Sequence, residues 1–401
     1  MNFFKLKNPI QNYAWGSKTA IQDLFGIENP NQKPQAEIWM GAHPNGCSKI
    51  ELGGKEVLLS EFINNDRARV LSADTDRKFG ELPYLFKVLA VGNALSIQVH
   101  PSKQEAEQGF AKEEELGIER TSFERNYRDL NHKPELVYAL TPYKAMNGFR
   151  ALNEIIELFS LVLEKVDLPI IEGLLDTFKT DLSSRGLKVF FTGILSLKNT
   201  NKESAIRGLI DYATMSQQPN MDDDLGSLIL ELEQCYPNDI GLFAPLMLNV
   251  LTLKPGQAMY VDARTPHAYL KGAGLEIMAN SDNVLRAGLT SKHIDVEELA
   301  RCTSFEEKPK SSLLLQPETY GNKQSYLVPV SDFRFDFFIK ADDEKVNVAS
   351  AEILFAIDNK VTVSHASGES LTIGKGESLF IPAYAKEYSL TSKGRVVRAY
   401  N

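Results

Sequence analysis

The chain has 401 residues, 43% apolar and 24% charged, which is the make-up of an ordinary globular protein with material for two or three domains. A formal net charge of -9 and a pI near 5.4 argue against a general nucleic-acid binder. Cys47, Cys235 and Cys302 form neither a CxxC pair nor a disulfide framework, and no long apolar run follows the N-terminus, so the expectation is a cytoplasmic protein without signal peptide or membrane span.

Residues 1–50 are dense in Gly, Pro, Asn and aromatics. Residues 12–17 (NYAWGS) read as a loop, 19–25 as a short helix, 36–40 (AEIWM) as a strand and 41–46 as the turn after it. Trp15, Trp39 and His43 read as core or edge residues, with a pocket wall as the alternative. Residues 83–91 (PYLFKVLAV) form an apolar run of strand length whose only charge is Lys87. A lysine there is costly to bury unpaired, so it either snorkels out at an edge or faces a polar cavity. The Gly92-Asn93 turn predicts a hairpin with the stretch that follows.

That stretch, Leu95-Ser96-Ile97-Gln98-Val99-His100, alternates apolar and polar. A strand has a side-chain period of two, so Ser96, Gln98 and His100 share one face. An amide oxygen and an imidazole side by side make half of a metal site, although a merely solvated face has the same pattern. Ser102 with Glu105 predicts a capping box opening a surface helix over 102–116. After Pro134 a strand begins on a carboxylate, Glu135, a candidate third ligand.

From about residue 151 to 240 the apolar residues recur at helical spacing (Ile155, Leu158, Phe159 and Val162, then Ile171, Leu174, Leu175 and Phe178), which predicts a helical domain without chemistry. Strands return at Asn249. Residues 254–263 (KPGQAMYVDA) and 374–383 (GKGESLFIPA) share a rhythm: aligning Gly256 with Gly376 puts Tyr260 on Phe380 and His267 on Glu387. We read an internal repeat of a small β-barrel whose second copy lacks the histidine and is structural. The fold class is therefore mixed β and α, two jelly-roll barrels of cupin type with a helical domain inserted between the strand-rich segments. The inward-facing donors Gln98, His100, Glu135 and His267 suit Zn²⁺ and also accept Mn²⁺, Fe²⁺ or Co²⁺.

Several longer motifs resemble the type I phosphomannose isomerase family: residues 12–17, 36–44 (AEIWMGAHP), 95–101 (LSIQVHP), 131–135 (NHKPE), and 266–269 (PHAY) running on to 286–292 (RAGLTSK). They stand in order from the start to about residue 295. The resemblance implies one zinc ion per chain on Gln98, His100, Glu135 and His267, a catalytic Arg286, and a substrate cavity lined by Lys87, Ser96, Lys133, Tyr269, Glu276, Asp282 and Lys292. It implies interconversion of mannose 6-phosphate and fructose 6-phosphate, a sugar phosphate as the only partner of a monomeric chain, and a place in GDP-mannose supply. The domains would be 1–150 and 241–315 for the two parts of the catalytic barrel, 151–240 for the helices and 316–401 for the degenerate barrel. Lys87 with Ser96 is a plausible phosphate cradle. Glu276, Asp282, Lys133 and a metal-bound water all remain open as the base. The competing expectations are a non-catalytic sugar-phosphate binder and an iron-dependent cupin oxygenase.

Overall fold

A computed structural model describes residues 1–216 and 224–401. Its first barrel is a sheet of ten strands built round the long strand His267–Ala279. That strand pairs antiparallel with Tyr84–Val91, Glu135–Ala139, Tyr143–Phe149 and, at His267, with Ile97–Val99. The second barrel packs a seven-stranded sheet on a four-stranded one. Its strand Ser378–Ile381 stands where Ala258–Val261 stands in the first, and its strand Glu387–Ser392 starts where the repeat places His267. Gly256 and Gly376 hold φ of 92° and 77° in the two matching turns, a conformation open to glycine at little steric cost.

The predicted hairpin of 83–91 with 95–101 does not form. Both edges of Tyr84–Val91 are already taken, one by Glu37–Met40 and the other by His267–Ala279. Ile97–Val99 instead pairs with Leu285–Gly288 and the start of His267–Ala279. The Gly92 and Asn93 N–H groups donate to the Trp15 carbonyl, so the Gly-Asn turn steps the chain from one part of the sheet to another. The helix Lys103–Glu115 carries the predicted capping box in full.

Among the described residues, five helices between Leu152 and Cys235 make the helical region. Their stripes, Ile155, Phe159 and Val162 or Ile171, Leu175 and Phe178, are buried in one core that continues into the flank of the first barrel through Ile97, Val99 and Leu285. The alternating Phe333, Phe335 and Phe337 are buried in the seam between the barrels, where Tyr138 stacks on Phe337 with centroids 4.7 Å apart. Tyr84 donates its hydroxyl across that seam to the carbonyls of Ala351 and Ala399. The first strand, Phe4–Lys5, belongs to the second barrel, where Phe4 pairs with Phe380. Among the described residues no helix is long and apolar enough to cross a membrane.

Candidate metal centre and cavity

Two rows of side chains cross the first sheet. Strand register puts Arg286, Gln98, His267 and Asn147 abreast in one row and Trp39, Lys87 and Glu276 in the other. Neighbours in such rows stand about 4.5–5.5 Å apart at Cβ, so distant parts of the sequence meet. A cavity of about 80 Å³ lies between them, with Lys87, Ser96, Gln98, Lys133, Glu135, His267, Tyr269 and Glu276 in its wall.

His100, Glu135 and His267 are buried there with their ligand atoms within 4.8 Å of one another. Each imidazole is fixed in orientation. His100 Nδ1 lies 2.6 Å from the Asn283 carbonyl and His267 Nδ1 2.9 Å from the Thr265 carbonyl. A carbonyl only accepts, so Nδ1 carries the hydrogen in both and each Nε2 presents a lone pair. Those lone pairs face the carboxylate of Glu135, at 3.2 Å from His100 and 3.5 Å from His267. Acceptor opposes acceptor, and His100 Nε2 is buried without a hydrogen bond. A cation between the three groups resolves that conflict, so the residues fit a zinc ion, and the half-buried Gln98 lies in the same cavity wall. Burial, helped by Lys133, pushes the His100 imidazolium pKa down to about 4, which keeps the ring neutral and ready to ligate. Burial alone would raise the Glu135 carboxyl, but Lys133 and His100 outweigh it and hold it well below the ordinary range. Tyr269 donates its hydroxyl to the same carboxylate.

Lys87 does face the cavity, but not as a free cation. Its ammonium is 3.0 Å from Glu276 and 3.9 Å from Glu37, and lies 5.1 Å from the centre of the Trp39 ring. Burial opposes its charge, and the carboxylates Glu276, Glu37 and Glu135 more than restore it, so its pKa is raised. Burial also raises the Glu276 carboxyl against the pull of Lys87. Ser96 accepts a bond from Gln98 at 3.3 Å.

Arg286, Asp282 and Lys292 are not part of the cavity wall. Asp282 is bonded to Asn45 and close to His43. Among the described residues Arg286 and Lys292 form no ion pair; burial lowers both pKa values, Arg128 adds to it at both, and Arg286 adds to it at Lys292. Lys133 Nζ is 3.5 Å from Glu135, and its neighbour His132 is 3.0 Å from Asp332 at the edge of the second barrel. Sequence reading missed Glu37, Arg128 and Asn283. Glu37 was visible as a carboxylate inside the otherwise apolar 36–40 strand. His43 is buried, as expected of a core residue, yet it is bonded into the site.

Two barrels of which one buries a histidine–carboxylate–histidine cluster define a metal-binding cupin. Family models match three segments: "Phosphomannose isomerase type I, catalytic domain" over residues 3–152, its "helical insertion domain" over 170–248, and the "Mannose-6-phosphate isomerase, cupin domain" over 322–401. Mannose-6-phosphate isomerase of Escherichia coli is 44% identical over 399 residues, 99% of each chain. The rat enzyme of that name is 36% identical over 407 residues, 95% of this chain and 93% of its own. Among solved structures, a mutant phosphomannose isomerase from Salmonella typhimurium superposes with a TM-score of 0.94 at 42% identity, and a zinc-bound mannose 6-phosphate isomerase with 0.92 at 42%, each covering both chains completely. The chain belongs to the type I phosphomannose isomerase family.

Proposed function

We propose that the protein is a zinc-dependent isomerase that interconverts D-mannose 6-phosphate and D-fructose 6-phosphate through an enediol. The observation that carries this is the pair of imidazole lone pairs set against a buried carboxylate in the wall of a cavity that also holds Lys87, Lys133 and Glu276. Gln98, His100, Glu135 and His267 hold one zinc ion, which when bound supplies Lewis-acid polarisation of sugar oxygens. Tyr269 steadies Glu135 from behind. Lys87, Lys133 and Glu276 are hydrogen-bonding and proton-moving groups for C1, C2 and their oxygens, and Arg286 stabilises negative charge as the enediol forms. The phosphate is held by cations free of carboxylate partners. Arg286 and Lys292 meet that condition and Lys87 does not, so Ser96 and Lys292 are the better cradle, with Asp282 at its border.

In the same reading residues 1–150 and 241–315 form the catalytic unit, 151–240 the helical domain and 316–401 a structural barrel. The protein acts as a monomer in the cytoplasm and connects glycolysis with the supply of GDP-mannose.

The test is turnover of mannose 6-phosphate to fructose 6-phosphate by purified protein, with chelator and then with zinc restored. Activity should vanish and return. Fully zinc-loaded protein without turnover would overturn the reaction while leaving the ligands standing, and a sugar-phosphate binder would take its place.

A further inference from the structure

We infer that His43 is a positioning residue for Asp282. His43, with Asn45, fixes the plane of the Asp282 carboxylate. This rests on the reading of Asp282 as a substrate-facing group.

The geometry is specific. His43 Nε2 lies 3.3 Å from Asp282 Oδ1, and the Asn45 side-chain amide donates to Asp282 Oδ2 at 2.9 Å. The Asp282 N–H donates to Asp129 at 2.6 Å, so the backbone is anchored as well. The tautomer of His43 follows from its other nitrogen. The Asn45 backbone N–H donates to His43 Nδ1 at 3.1 Å, so Nδ1 is the acceptor and Nε2 carries the hydrogen that points at Asp282. This is the reverse of the two ligand histidines, whose Nδ1 atoms are donors to carbonyls. One imidazole in the region is therefore set to donate, and two are set to offer lone pairs.

The turn that carries His43 is rigid. Its ring is almost fully buried and meets the edge of Trp39, with centroids 5.0 Å apart at 81°. The turn is closed by Gly46 N–H to the His43 carbonyl at 3.0 Å and Ser48 N–H to the Gly41 carbonyl at 2.8 Å. Gly46 packs so tightly that a Cβ there would sit 2.5 Å from the Trp39 ring. The same indole also meets the Lys87 ammonium. Trp39 thus sets the distance between the Asp282 clamp and the Lys87–Glu276 pair. A carboxylate gripped by two neutral donors keeps one direction for its remaining lone pairs, which is what hydrogen bonding or proton transfer at a fixed sugar atom requires.

Two substitutions separate the halves of the imidazole. His43→Asn keeps an acceptor near Nδ1 and loses the donor to Asp282, whereas His43→Gln keeps a donor near Nε2. His43→Asn should lower kcat by about 10- to 100-fold, the usual size of a lost orienting partner. Zinc content and KM should stay close to wild type, and His43→Gln should recover most of the rate. In a double-mutant cycle His43→Asn should cost nothing further once Asp282→Asn is present. ¹⁵N NMR of the wild-type protein should show His43 as the Nε2–H tautomer. Wild-type kcat in His43→Asn, an equal loss in His43→Gln, an undiminished His43→Asn effect in the Asp282→Asn background, or an Nδ1–H tautomer would each overturn the inference. If Asp282→Asn alone keeps full activity, the underlying reading of Asp282 fails instead, and that result is separate from all four.

Discussion

In the second barrel the Arg398 guanidinium donates twice to Glu352, at 2.8 and 2.6 Å, once to Asp336 at 3.4 Å and once to the Asn347 carbonyl at 2.8 Å. The first barrel also buries charges, yet its imidazole lone pairs point at a carboxylate and His100 Nε2 has no partner. In the second barrel the buried carboxylates face a cation of their own chain, although Glu352 Oε1 and the Tyr388 hydroxyl are buried without a hydrogen bond, whereas in the first barrel three lone-pair donors converge on one another. The repeat shows how this came about along the chain: His267 opens a 13-residue strand that also supplies Tyr269 and Glu276, while its counterpart Glu387 is exposed on a strand of six residues. Burial of polar groups by itself does not mark a functional site. A cluster of buried lone pairs that face one another does.

The sharpest way to break this contrast is to remove a carboxylate from each barrel. Glu135→Ala should abolish zinc binding and cost activity roughly a thousandfold, the equivalent of several kcal/mol of Lewis-acid stabilisation. Glu352→Ala should leave zinc stoichiometry intact and destabilise the fold by about 3 kcal/mol, because the buried Arg398 loses its two-fold carboxylate partner and keeps only Asp336 at 3.4 Å. Zinc titration and thermal melting of the two variants read this directly. A loss of zinc in Glu352→Ala would erase the distinction.

Acid should act on the first barrel before the second. In zinc-free protein the His100 pKa falls from its ordinary 6.5 to about 4 on folding, and the Glu135 carboxyl is also depressed. A group with a depressed folded pKa gives stability that is complete above its unfolded pKa and is lost as pH falls toward the folded one. The Tm of zinc-free protein should therefore decline as pH drops from about 6.5 to about 4. His100→Gln, which cannot titrate, should flatten that part of the curve. An unchanged slope in His100→Gln would remove His100 from the account.

The smallest effect belongs to the seam. Tyr84→Phe removes a hydroxyl that bonds two carbonyls of the second barrel and should cost about 1 kcal/mol with turnover unaffected. Slower turnover in Tyr84→Phe would mean that the structural barrel transmits to the site.

Local pattern was enough to find much of this. Alternation placed Gln98 and His100 on one face, the capping box opened its helix at Ser102, and helical spacing marked Ile155 to Val162 and Ile171 to Phe178 as core. The repeat exposed the second barrel. What stayed hidden depends on which strands become neighbours. Tyr84–Val91 has no local signal that its edges go to Glu37–Met40 and His267–Ala279, and without that register Lys87 cannot be matched to Glu276 or Glu37. The Arg398–Glu352–Asp336 network joins three strands for the same reason. His43 looked like a core residue because it is one; its bond to Asp282 spans most of the chain.

The N-terminal strand has a consequence for biosynthesis. Asn8 and Ser378, hydrogen-bonded at 2.7 Å beside the Phe4–Lys5 strand, are 370 positions apart. At about 5–20 residues per second, the early segment spends roughly 20–75 s outside the ribosome before its partner is made. During that interval Phe3, Phe4 and Leu6 have no barrel to enter, although all three are buried in the finished protein. That sheet is completed by residues made some 370 positions earlier, so a chaperone that holds the early segment has a physical reason to stay until its partner strand is made.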